Sequence, residues 1–505
     1  MIGNLNIANS NRKDTNIKFT KDQEIAVHEL IEFLAQPWDE KKYINALCGA
    51  GGTGKTFVIK YVINNCKWSG GVIGCAAPTH KACRVLSNSI GGKEVNTIQS
   101  LFGFRLDVNI ENFDPENPAF NPVGKDKLDG LKVLIIDEAS MLNAKLVKYI
   151  SNKCKKLQIK VIMLGDSSQL PPVNEKTSQA FLIASNTYYL KEIVRQGDNN
   201  PISKLLKLLR EDIDNKNGWR FLDYISKNRQ DYNEETKGFY VCGQTEFSDL
   251  IDTCFNDEEY TKNIDLYRII AYTNSRVAQW NNHVRHMIIQ DADKSLITRN
   301  DLIMSYTTVV NVFNDIIINN SEEYIVKDIV DTIDNDYEFK GFLIKFQAIH
   351  GGAITQPLFV IDHYDNYTFQ MYYKKLTSLI DDAKKASSSE RGSKWKQYFD
   401  FKRKYLIASN ITNSNGKILF SRDLDYGFAI TSHRAQGSTY KNVFVDINDM
   451  IYDKYGHPYT NRDEMLRRLY VACSRASNQL VLSYGKRSEE RRVGKECRSR
   501  WSPYH

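Results

Sequence analysis

The sequence predicts an α/β fold with two parallel sheets, each flanked by helices, and a smaller β-rich domain. Three observations support this prediction. Short apolar runs alternate with amphipathic helical patterns in the first half of the chain, a glycine-rich loop motif follows the first of those runs, and a second alternating pattern begins near residue 193. A chain of 505 residues exceeds what one hydrophobic core usually organises, so we expect about two to four domains.

The composition is that of an ordinary globular protein, with 42% hydrophobic and 26% charged residues. No uncharged apolar stretch of about 18 residues occurs, and the first residues lack the apolar core of a signal peptide. We therefore expect a cytoplasmic protein without a membrane partner. Nine cysteines without C-x-x-C pairs favour free thiols over a zinc site. The net charge of +7 permits nucleic-acid binding without requiring it.

The last nineteen residues, 487–505 (RSEERRVGKECRSRWSPYH), look like the translation of a sequencing adapter. We expect them to be a non-native tail that takes no part in the fold or the function. They carry six Lys or Arg and three Glu, so the chain without them has a net charge of +4. The alternative is a genuine basic tail that binds DNA.

The predicted elements of the first lobe, residues 1–192, begin with a helix. Its apolar residues Val27, Leu30, Ile31 and Leu34 follow the helical period after Thr20. Strands are predicted at 43–48, 72–76, 133–136 and 161–164, each followed by a polar motif. The carboxyl ends of strands are where open α/β sheets bind ligands. Residues 103–128 interrupt this pattern with a polar segment too long for an ordinary connection, which predicts an insertion.

A second lobe is predicted from two separate segments, 193–298 and 423–486. Its strands are expected at 268–272, 428–431, 443–446 and 480–483. The intervening residues, 299–422, contain short β-branched and aromatic segments and then a charged helical run at 374–405. We interpret 299–422 as a small β-barrel-like domain that is inserted in the second lobe and carries a helical projection.

The motif GAGGTGKT has the G-x-x-x-x-G-K-[ST] pattern and lies between a predicted strand and a predicted helix. Its glycines allow backbone N–H groups to surround phosphates at a helix N-terminus, Lys55 supplies a positive charge, and Thr56 offers a hydroxyl to Mg²⁺. The sequence therefore predicts a P-loop that binds a nucleoside triphosphate such as ATP. The predicted nucleotide-binding residues are Gly49, Ala50, Gly51, Gly52, Thr53, Gly54, Lys55 and Thr56.

Asp137 and Glu138 in IIDEAS end the predicted strand at 133–136. A hard cation prefers oxygen ligands, so Asp137 is the expected second partner of Mg²⁺ beside Thr56. Glu138 is the expected base or positioner of the attacking water. The two motifs together indicate a P-loop ATPase, but they do not indicate which class of P-loop ATPase.

A series of further motifs resembles superfamily 1 helicases, and within them the RecD-like group and its Dda-type phage members. The motifs occur in the order of that family: FTKDQ, APTHKA, TIQSLFGF, LGDSSQLPPV, LKEIVRQ, AYTNSRVAQWNNHVR, YGFAITSHRAQGSTY and YVACSRA. The resemblance extends to about Gly485. It implies two RecA-like lobes, a pin insertion at 103–128 in the first lobe and a β-barrel insertion in the second.

On the nucleotide side, the resemblance implies that Gln23 contacts adenine, although Thr20 and Gln23 also fit a helix capping box. Gln169 is expected to sense the γ-phosphate, and Asp166 to order its loop. Arg195 and Arg475 are the expected arginines on the γ-phosphate, with a surface ion pair as the alternative for Arg475. The family usually has Thr where Ala472 stands. The last residues expected to face ATP are Gln436 and Gly437.

On the DNA side, the resemblance implies contacts from both lobes. The first-lobe candidates are Pro78, Thr79, His80, Lys81, Thr97 and Gln99. The second-lobe candidates are Thr273, Asn274, Arg276, Thr431, His433 and Ser438. Phe102 and Phe104 are candidate wedges of the pin, with core packing as an equal alternative. His80 could instead be an ordinary surface histidine, and Trp280 is expected in the core rather than stacked on a base. The run 374–405 could buttress the pin or be a solvated hairpin.

The implied function is an ATP-dependent DNA helicase that moves 5′ to 3′ on single-stranded DNA and unwinds duplexes, in phage-type replication or recombination. The implied cofactors are ATP and Mg²⁺, and the implied partners are single-stranded and forked DNA, with a single-strand-binding protein or replisome components as further candidates. We expect a monomer, located in the host cytoplasm if the gene is a phage gene. The alternatives are an ATP-switched nucleic-acid-binding scaffold and a small-molecule P-loop kinase.

Overall fold

The computed structural model describes residues 19–485 except 69, 105–123, 173–174, 193–199, 216–217, 291, 293–294, 312, 314 and 413–417. Three of the sequence predictions lie wholly or mostly outside these residues: Arg195, the pin insertion at 103–128 and the tail at 487–505. Among the described helices, none is both long and apolar enough to cross a membrane. No disulfide bond joins any of the eight described cysteines, and all but Cys66 are buried.

The first lobe is a six-stranded parallel sheet in the order β3-β2-β4-β5-β1-β6, with helices packed against it. Its elements are α1 (Lys21–Ala35), β1 (Ile44–Gly49), α2 (Lys55–Asn65), β2 (Ile73–Ala77), α3 (His80–Ser89), β3 (Asn96–Thr97), α4 (Ile98–Phe102), β4 (Val133–Ile136), α5 (Ala144–Lys156), β5 (Lys160–Gly165), α6 (Gln179–Leu182) and β6 (Asn186–Leu190).

The strands of this sheet form where continuous apolar runs can be buried on both faces, as parallel sheets require. All four residues of β4 and all six of β5 are buried. The predicted strands at 43–48, 72–76, 133–136 and 161–164 match β1, β2, β4 and β5 to within one residue at each end. The short strands β3 and β6 were not predicted, because β3 has two residues and β6 is partly exposed.

The second lobe is a mixed sheet in the order β20-β9-β21-β22-β8-β7, in which β7 alone runs antiparallel to its neighbour. Its elements are α7 (Ile202–Asp214), α8 (Arg220–Lys227), β7 (Gln230–Tyr232), β8 (Gly238–Cys242), α9 (Gln244–Phe255), α10 (Glu258–Lys262), β9 (Tyr267–Ala271), α11 (Asn274–Ile288), β20 (Ala429–Thr431), β21 (Tyr440–Asp446), α14 (Ile447–Ile451), α15 (Arg462–Cys473) and β22 (Ala476–Ser483). The strands β21 and β22 begin three and four residues earlier than predicted.

Between the two parts of the second lobe lies an antiparallel sheet in the order β16-β15-β14-β13-β10-β19, in which only β15 and β16 are parallel. The elements of this inserted region are β10 (Leu302–Ser305), β11 (Val309–Val310), β12 (Ile316–Ile318), β13 (Glu323–Ile333), β14 (Lys340–Ala348), β15 (Leu358–Ile361), α12 (Asn366–Lys385), α13 (Arg391–Lys404), β16 (Tyr405–Leu406), β17 (Ile411–Thr412), β18 (Ile418–Phe420) and β19 (Leu424–Tyr426). The pairs β11–β12 and β17–β18 form separate two-stranded sheets.

The two edges of this inserted sheet approach each other. The backbone N–H groups of Asp423 and Leu424, beside β19, both donate to the carbonyl oxygen of Ile407, beside β16, at 2.7 and 3.2 Å. These bonds give the sheet the barrel-like closure that the sequence predicts. The helical projection is the hairpin α12–α13, and it packs against the sheet through an aromatic cluster that includes Tyr372 and Phe401. The α/β fold class is thus confirmed, whereas the exact domain boundaries stay predictions.

Candidate functional site

The glycine-rich loop connects the end of β1 to the start of α2. Gly54 precedes the helix with φ of 84°, and a Cβ on this residue would lie 2.5 Å from Nε2 of Gln23. The hydroxyl of Thr53 donates to the Ala50 carbonyl at 2.8 Å, and Lys55 Nζ donates to the carbonyls of Gly49 and Ala50 at 2.6 and 3.1 Å. The loop therefore closes around its own lysine at the N-terminus of a helix, where anions are stabilised.

Gln23 fills one of the two roles that the sequence left open, that of the helix capping box. Its Oε1 accepts from the Thr20 N–H while the Thr20 hydroxyl accepts from the Gln23 N–H, which forms the capping box. Its Nε2 donates to the Thr53 carbonyl at 3.0 Å. Gln23 thus joins α1 to the glycine-rich loop, and adenine contact by this residue stays a prediction.

The two acidic residues after β4 lie half-buried beside the loop. The Glu138 N–H donates to Oδ1 of Asp137 at 2.8 Å, and Glu138 has a left-handed backbone with φ of 50°. Burial, and next the charge of Asp137, raise the pKa of Glu138 to about 7, while Lys55 and Arg475 act in the opposite direction. Burial also raises the pKa of Asp137, against the effect of Lys55. A carboxylate with such a pKa suits proton exchange with water near neutral pH.

The loop after β5 contacts the second lobe through several hydrogen bonds. Asp166, which is buried, orders this loop by accepting from the Ser168 N–H at 2.9 Å, and its Oδ2 accepts from the Tyr470 hydroxyl of α15 at 2.7 Å. Gln436 Nε2 donates to the Leu170 carbonyl at 3.1 Å. Gln169 is 7% exposed, and its role as a γ-phosphate sensor stays a prediction.

Arg475 reaches the same cleft from the other lobe. Its guanidinium is 8% exposed and donates to the carbonyls of Val471 and Ser438 at 3.0 and 2.8 Å and to the Ser474 hydroxyl at 2.7 Å. Burial lowers its pKa, and the charge of Glu138 across the cleft raises it. The surface ion pair that was the alternative for Arg475 does not occur here. Gly437 also faces the cleft, since a Cβ on it would lie 4.0 Å from Glu138 Oε1.

Predicted DNA contacts from both lobes line one narrow cavity. Thr79 and Lys81 contribute from the first lobe, and His433 and Ser438 from the second. Thr79 also caps α3, because its hydroxyl accepts from the Ala82 N–H at 3.2 Å. The structure therefore brings together residues that are more than 350 positions apart in the sequence.

The remaining strand-binding candidates do not line this cavity, and the polar groups of several of them bind other groups of the protein. Burial lowers the pKa of His80, so its imidazole is neutral near pH 7. The Thr97 hydroxyl caps α4 by accepting from Ser100 N–H, and the Thr431 hydroxyl accepts from Arg434 N–H. Of the other candidates, Pro78 and Gln99 are buried, whereas Asn274 is exposed.

Lys81, a predicted DNA contact, pairs with a carboxylate of the inserted domain in this structure. Its side chain is buried, and Nζ lies 3.5 Å from Oε2 of Glu323, the first residue of β13. Glu323 is fully buried, its Oε1 accepts from the Tyr440 hydroxyl at 2.7 Å, and Arg268 Nη2 lies 3.9 Å away. Burial favours a high pKa for Glu323, but the neighbouring positive charges and this hydrogen bond hold its pKa at about 2. Lys81 thus neutralises a buried carboxylate, and its contact with DNA stays a prediction.

Thr273 and Arg276 also bind carboxylates of the protein in this structure, and their contacts with DNA stay predictions. The Thr273 hydroxyl and N–H donate to the two oxygens of Asp449 at 2.7 and 2.8 Å. Arg276 Nε donates to Oδ2 of the buried Asp446 at 2.6 Å. Trp280 Nε1 donates to the same oxygen at 3.0 Å, and its ring is 5% exposed, which agrees with the expected core position. Two carboxylates, Asp446 and Asp449, thus contact the predicted strand-binding motif, and their negative charge would repel phosphates.

Phe102 and Phe104 are core residues. They are 2% and 4% exposed, and their rings lie 6.1 and 5.2 Å from that of Tyr149 on α5. Neither ring is available to split a base pair in this structure. The apolar core of the first lobe explains this placement, because burying a Phe side chain is worth about 1.5 to 3 kcal/mol.

Comparison with known proteins places this arrangement in a family. Residues 20–223 match the family described as AAA domain, and residues 426–483 match the UvrD-like helicase C-terminal domain. The ATP-dependent DNA helicase dda of enterobacteria phage T4 is 26% identical over 80% of this chain and 88% of its own length. The chain belongs to the RecD-like, Pif1 and Dda group of superfamily 1 helicases. The glycine-rich loop lies in the first match and Arg475 in the second.

A viral protein and a solved structure are also similar to this chain. The uncharacterized protein R530 of Acanthamoeba polyphaga mimivirus is 24% identical over 92% of this chain and 99% of its own length. The crystal structure of the Pif1 helicase from Candida albicans is 18% identical, covers 93% of this chain and 95% of its own, and has a TM-score of 0.48.

Several residues of this helicase that join its parts were not predicted from the sequence. Glu323 connects the inserted domain to both lobes, Tyr470 connects α15 to Asp166, and Arg434 donates to Asn320 and Ser321 of the inserted domain at 3.1 and 2.8 Å. For Glu323 a signal exists: a charged residue opens an otherwise apolar strand segment, EYIV. The sequence around Tyr470 and Arg434 contains no comparable signal of their contacts.

Replacing Glu323 with alanine should lower the free energy of unfolding by about 3 to 5 kcal/mol, because Lys81 would be left buried without its countercharge and Arg268 would keep only Asp265. Urea unfolding followed by circular dichroism measures this change. Asp328→Ala is the matched control: it lies on the same strand, but its pair with Lys345 is 41% and 42% exposed, so the unfolding midpoint should hardly move. Equal midpoints for both variants would contradict this account of Glu323.

Proposed function

We propose that this helicase couples ATP hydrolysis in the cleft between its lobes to 5′ to 3′ movement along single-stranded DNA, and so unwinds duplexes. ATP-dependent DNA unwinding is the activity of its group, and the named relatives from phage T4, Deinococcus radiodurans and Psychrobacter are ATP-dependent DNA helicases. The observation that carries the proposal is that residues beside the P-loop meet residues of the other lobe: Gln436 donates to the Leu170 carbonyl, Tyr470 donates to Asp166, and Gly437 lies beside Glu138. Neither lobe alone contains the complete site.

The chemistry follows from the residues around the glycine-rich loop. Lys55 would bind the outer phosphates in place of its present carbonyl partners, and Arg475 would neutralise charge that develops on the transferred phosphoryl group. Glu138 would position the attacking water and accept its proton. The hydroxyl of Thr56 and the carboxylate of Asp137 are oxygen donors suited to Mg²⁺, which would supply charge neutralisation between phosphates. Arg195 is proposed as a second arginine on the γ-phosphate.

The loop after β5 connects the nucleotide-binding residues to the residues predicted to bind DNA. Its carbonyl at Leu170 binds Gln436, which lies three residues after His433 and two before Ser438, both at the cavity between the lobes. Opening the cleft would separate Asp166 from Tyr470 and Leu170 from Gln436, and would part the two sides of that cavity. Repeated closure and opening then moves the grip of one lobe relative to the other.

We further propose that the protein acts as a monomer in phage-type replication or recombination in the host cytoplasm, on forked DNA that a single-strand-binding protein or replisome components present. The phage T4 and mimivirus relatives support a viral setting.

The polarity is tested with two duplexes that differ only in the tail. Unwinding should occur with the 5′-tailed duplex and ATP, and it should be absent with the 3′-tailed duplex. Single-stranded DNA should also raise the rate of ATP hydrolysis. Unwinding from the 3′ tail alone would overturn the polarity, and hydrolysis that ignores DNA, without unwinding of either duplex, would point to a nucleotide-switched scaffold.

A further inference from the structure

The helical hairpin α12–α13 has a net positive charge almost as large as that of the whole chain. Residues 366–404 contain ten Lys or Arg and four Asp or Glu, a net charge of +6, whereas the whole chain has +7 and the tail at 487–505 accounts for +3. All the other residues together are therefore net negative. A solvated helical surface usually mixes both signs, so this concentration on one hairpin calls for a partner.

Most of these cations have no countercharge. At the base of the hairpin, Lys402 pairs with Asp423 at 2.9 Å, Lys404 with Asp334 at 3.1 Å, and Arg403 with Asp400. Six others form no ion pair within the residues that the structure describes, and five of them are exposed while Lys394 is half-buried. The six are Lys374, Lys384, Lys385, Arg391, Lys394 and Lys396.

The hairpin presents these charges on a rigid surface. The buried residues of α12, from Thr368 to Ala383, pack against the inserted domain. Lys374 and Lys385 are eleven residues apart, about three full helical turns, so they share the opposite, solvent-facing stripe. Tyr367 lies on that stripe too and is 62% exposed. Unpaired cations next to an exposed aromatic ring are typical of a surface that binds nucleic-acid phosphates.

We propose that α12–α13 binds the phosphate backbone of the duplex ahead of the fork. The inference rests on the proposed function, because it takes forked DNA as the substrate. The residues that line the cavity between the lobes are the candidates for holding the separated strand. The hairpin instead packs on the inserted domain, through Phe339, Ile361 and their neighbours. A DNA-binding surface that is displaced from the strand-binding cavity would meet DNA that has not yet been separated.

Salt dependence of binding separates this role from general attraction to DNA. In a variant with Lys374→Gln, Lys384→Gln, Lys385→Gln and Lys396→Gln, the slope of log Kd against log salt for a forked duplex should decrease in size by about 0.9 for each lysine that contacts a phosphate. Binding to single-stranded DNA and the DNA-stimulated ATPase rate should be unchanged. All four lysines are exposed, so folding should persist.

The matched control neutralises four exposed lysines of the two lobes, Lys60, Lys207, Lys227 and Lys262, and should leave the slope for the fork unchanged. An unchanged slope in the hairpin variant would overturn the proposal. So would an equal loss of single-strand binding, which would assign the hairpin to the separated strand, or an equal loss in the control, which would indicate net charge alone. If the unaltered protein unwinds neither tailed duplex, the proposed function fails instead, whatever the slopes are.

Discussion

Replacing Lys55 with alanine should reduce ATP hydrolysis at least about 10²- to 10³-fold in kcat and abolish unwinding, the loss found when a preorganised group that stabilises transition-state charge is removed. Lys55 is the lysine of the glycine-rich loop, and its ammonium lies within hydrogen-bond distance of two loop carbonyls. Without it, the outer phosphates lose their positive partner on the P-loop. Steady-state ATPase assays with saturating single-stranded DNA measure the change.

The matched control is Lys60→Ala, which removes an exposed lysine five residues further along the same helix. It should leave both hydrolysis and unwinding intact. Circular dichroism of the Lys55→Ala variant should match that of the unaltered protein, because this side chain makes hydrogen bonds to loop carbonyls but is not part of an apolar cluster. Unwinding that survives the loss of Lys55 would refute the ATP-driven mechanism.

Replacing Arg475 with alanine should lower kcat by about 10³- to 10⁵-fold, the range that a supplied arginine contributes in comparable phosphoryl-transfer enzymes. The arginine lies in the second lobe, whereas Glu138 and the glycine-rich loop lie in the first, so its loss tests whether hydrolysis requires both lobes. Arg475→Lys should recover only part of the rate, since an ammonium cannot contact two phosphoryl oxygens as a planar guanidinium can.

Arg475 also donates to the Ser438 carbonyl, so folding must be measured in parallel. The control Arg220→Ala removes a second-lobe arginine whose surface pair with Glu211 is 56% and 35% exposed, and its kcat should be unchanged. Nucleotide binding by Arg475→Ala should persist, because the P-loop is intact. A kcat close to that of the control would mean that Arg475 only holds the loop at Ser438.

The nucleotide-site predictions rest on residues that are contiguous in the sequence. In GAGGTGKT, the glycines, Lys55 and Thr56 follow one strand and open one helix, so their spacing already fixes their geometry. Asp137 and Glu138 are likewise positioned by the strand that precedes them. Asp166 was expected to order its own loop, and the bond to the Ser168 N–H two residues away confirms this.

The site predictions that the sequence could not narrow concern side chains with two possible surroundings. A lysine or threonine at a strand end can bind a DNA phosphate or a carboxylate of the protein. Which of the two it binds depends on the residues that the fold brings next to it. Lys81 meets Glu323 across 242 positions, and Arg276 meets Asp446 across 170. Phe102 and Phe104 could equally have been wedge or core, and Tyr149 on a later helix completes the core around them.

The sequence by itself determined the fold class, the order of the strands along the chain, the nucleotide loop and the helicase family. These properties depend on apolar periodicity and on short motifs, which act through neighbouring residues. Only the tertiary structure decided which polar groups remain available for DNA, where the three parts of the molecule are joined, and that the unpaired positive charge gathers on one hairpin. Electrostatic neutralisation and burial depend on groups brought together from distant parts of the chain, so no local pattern records them.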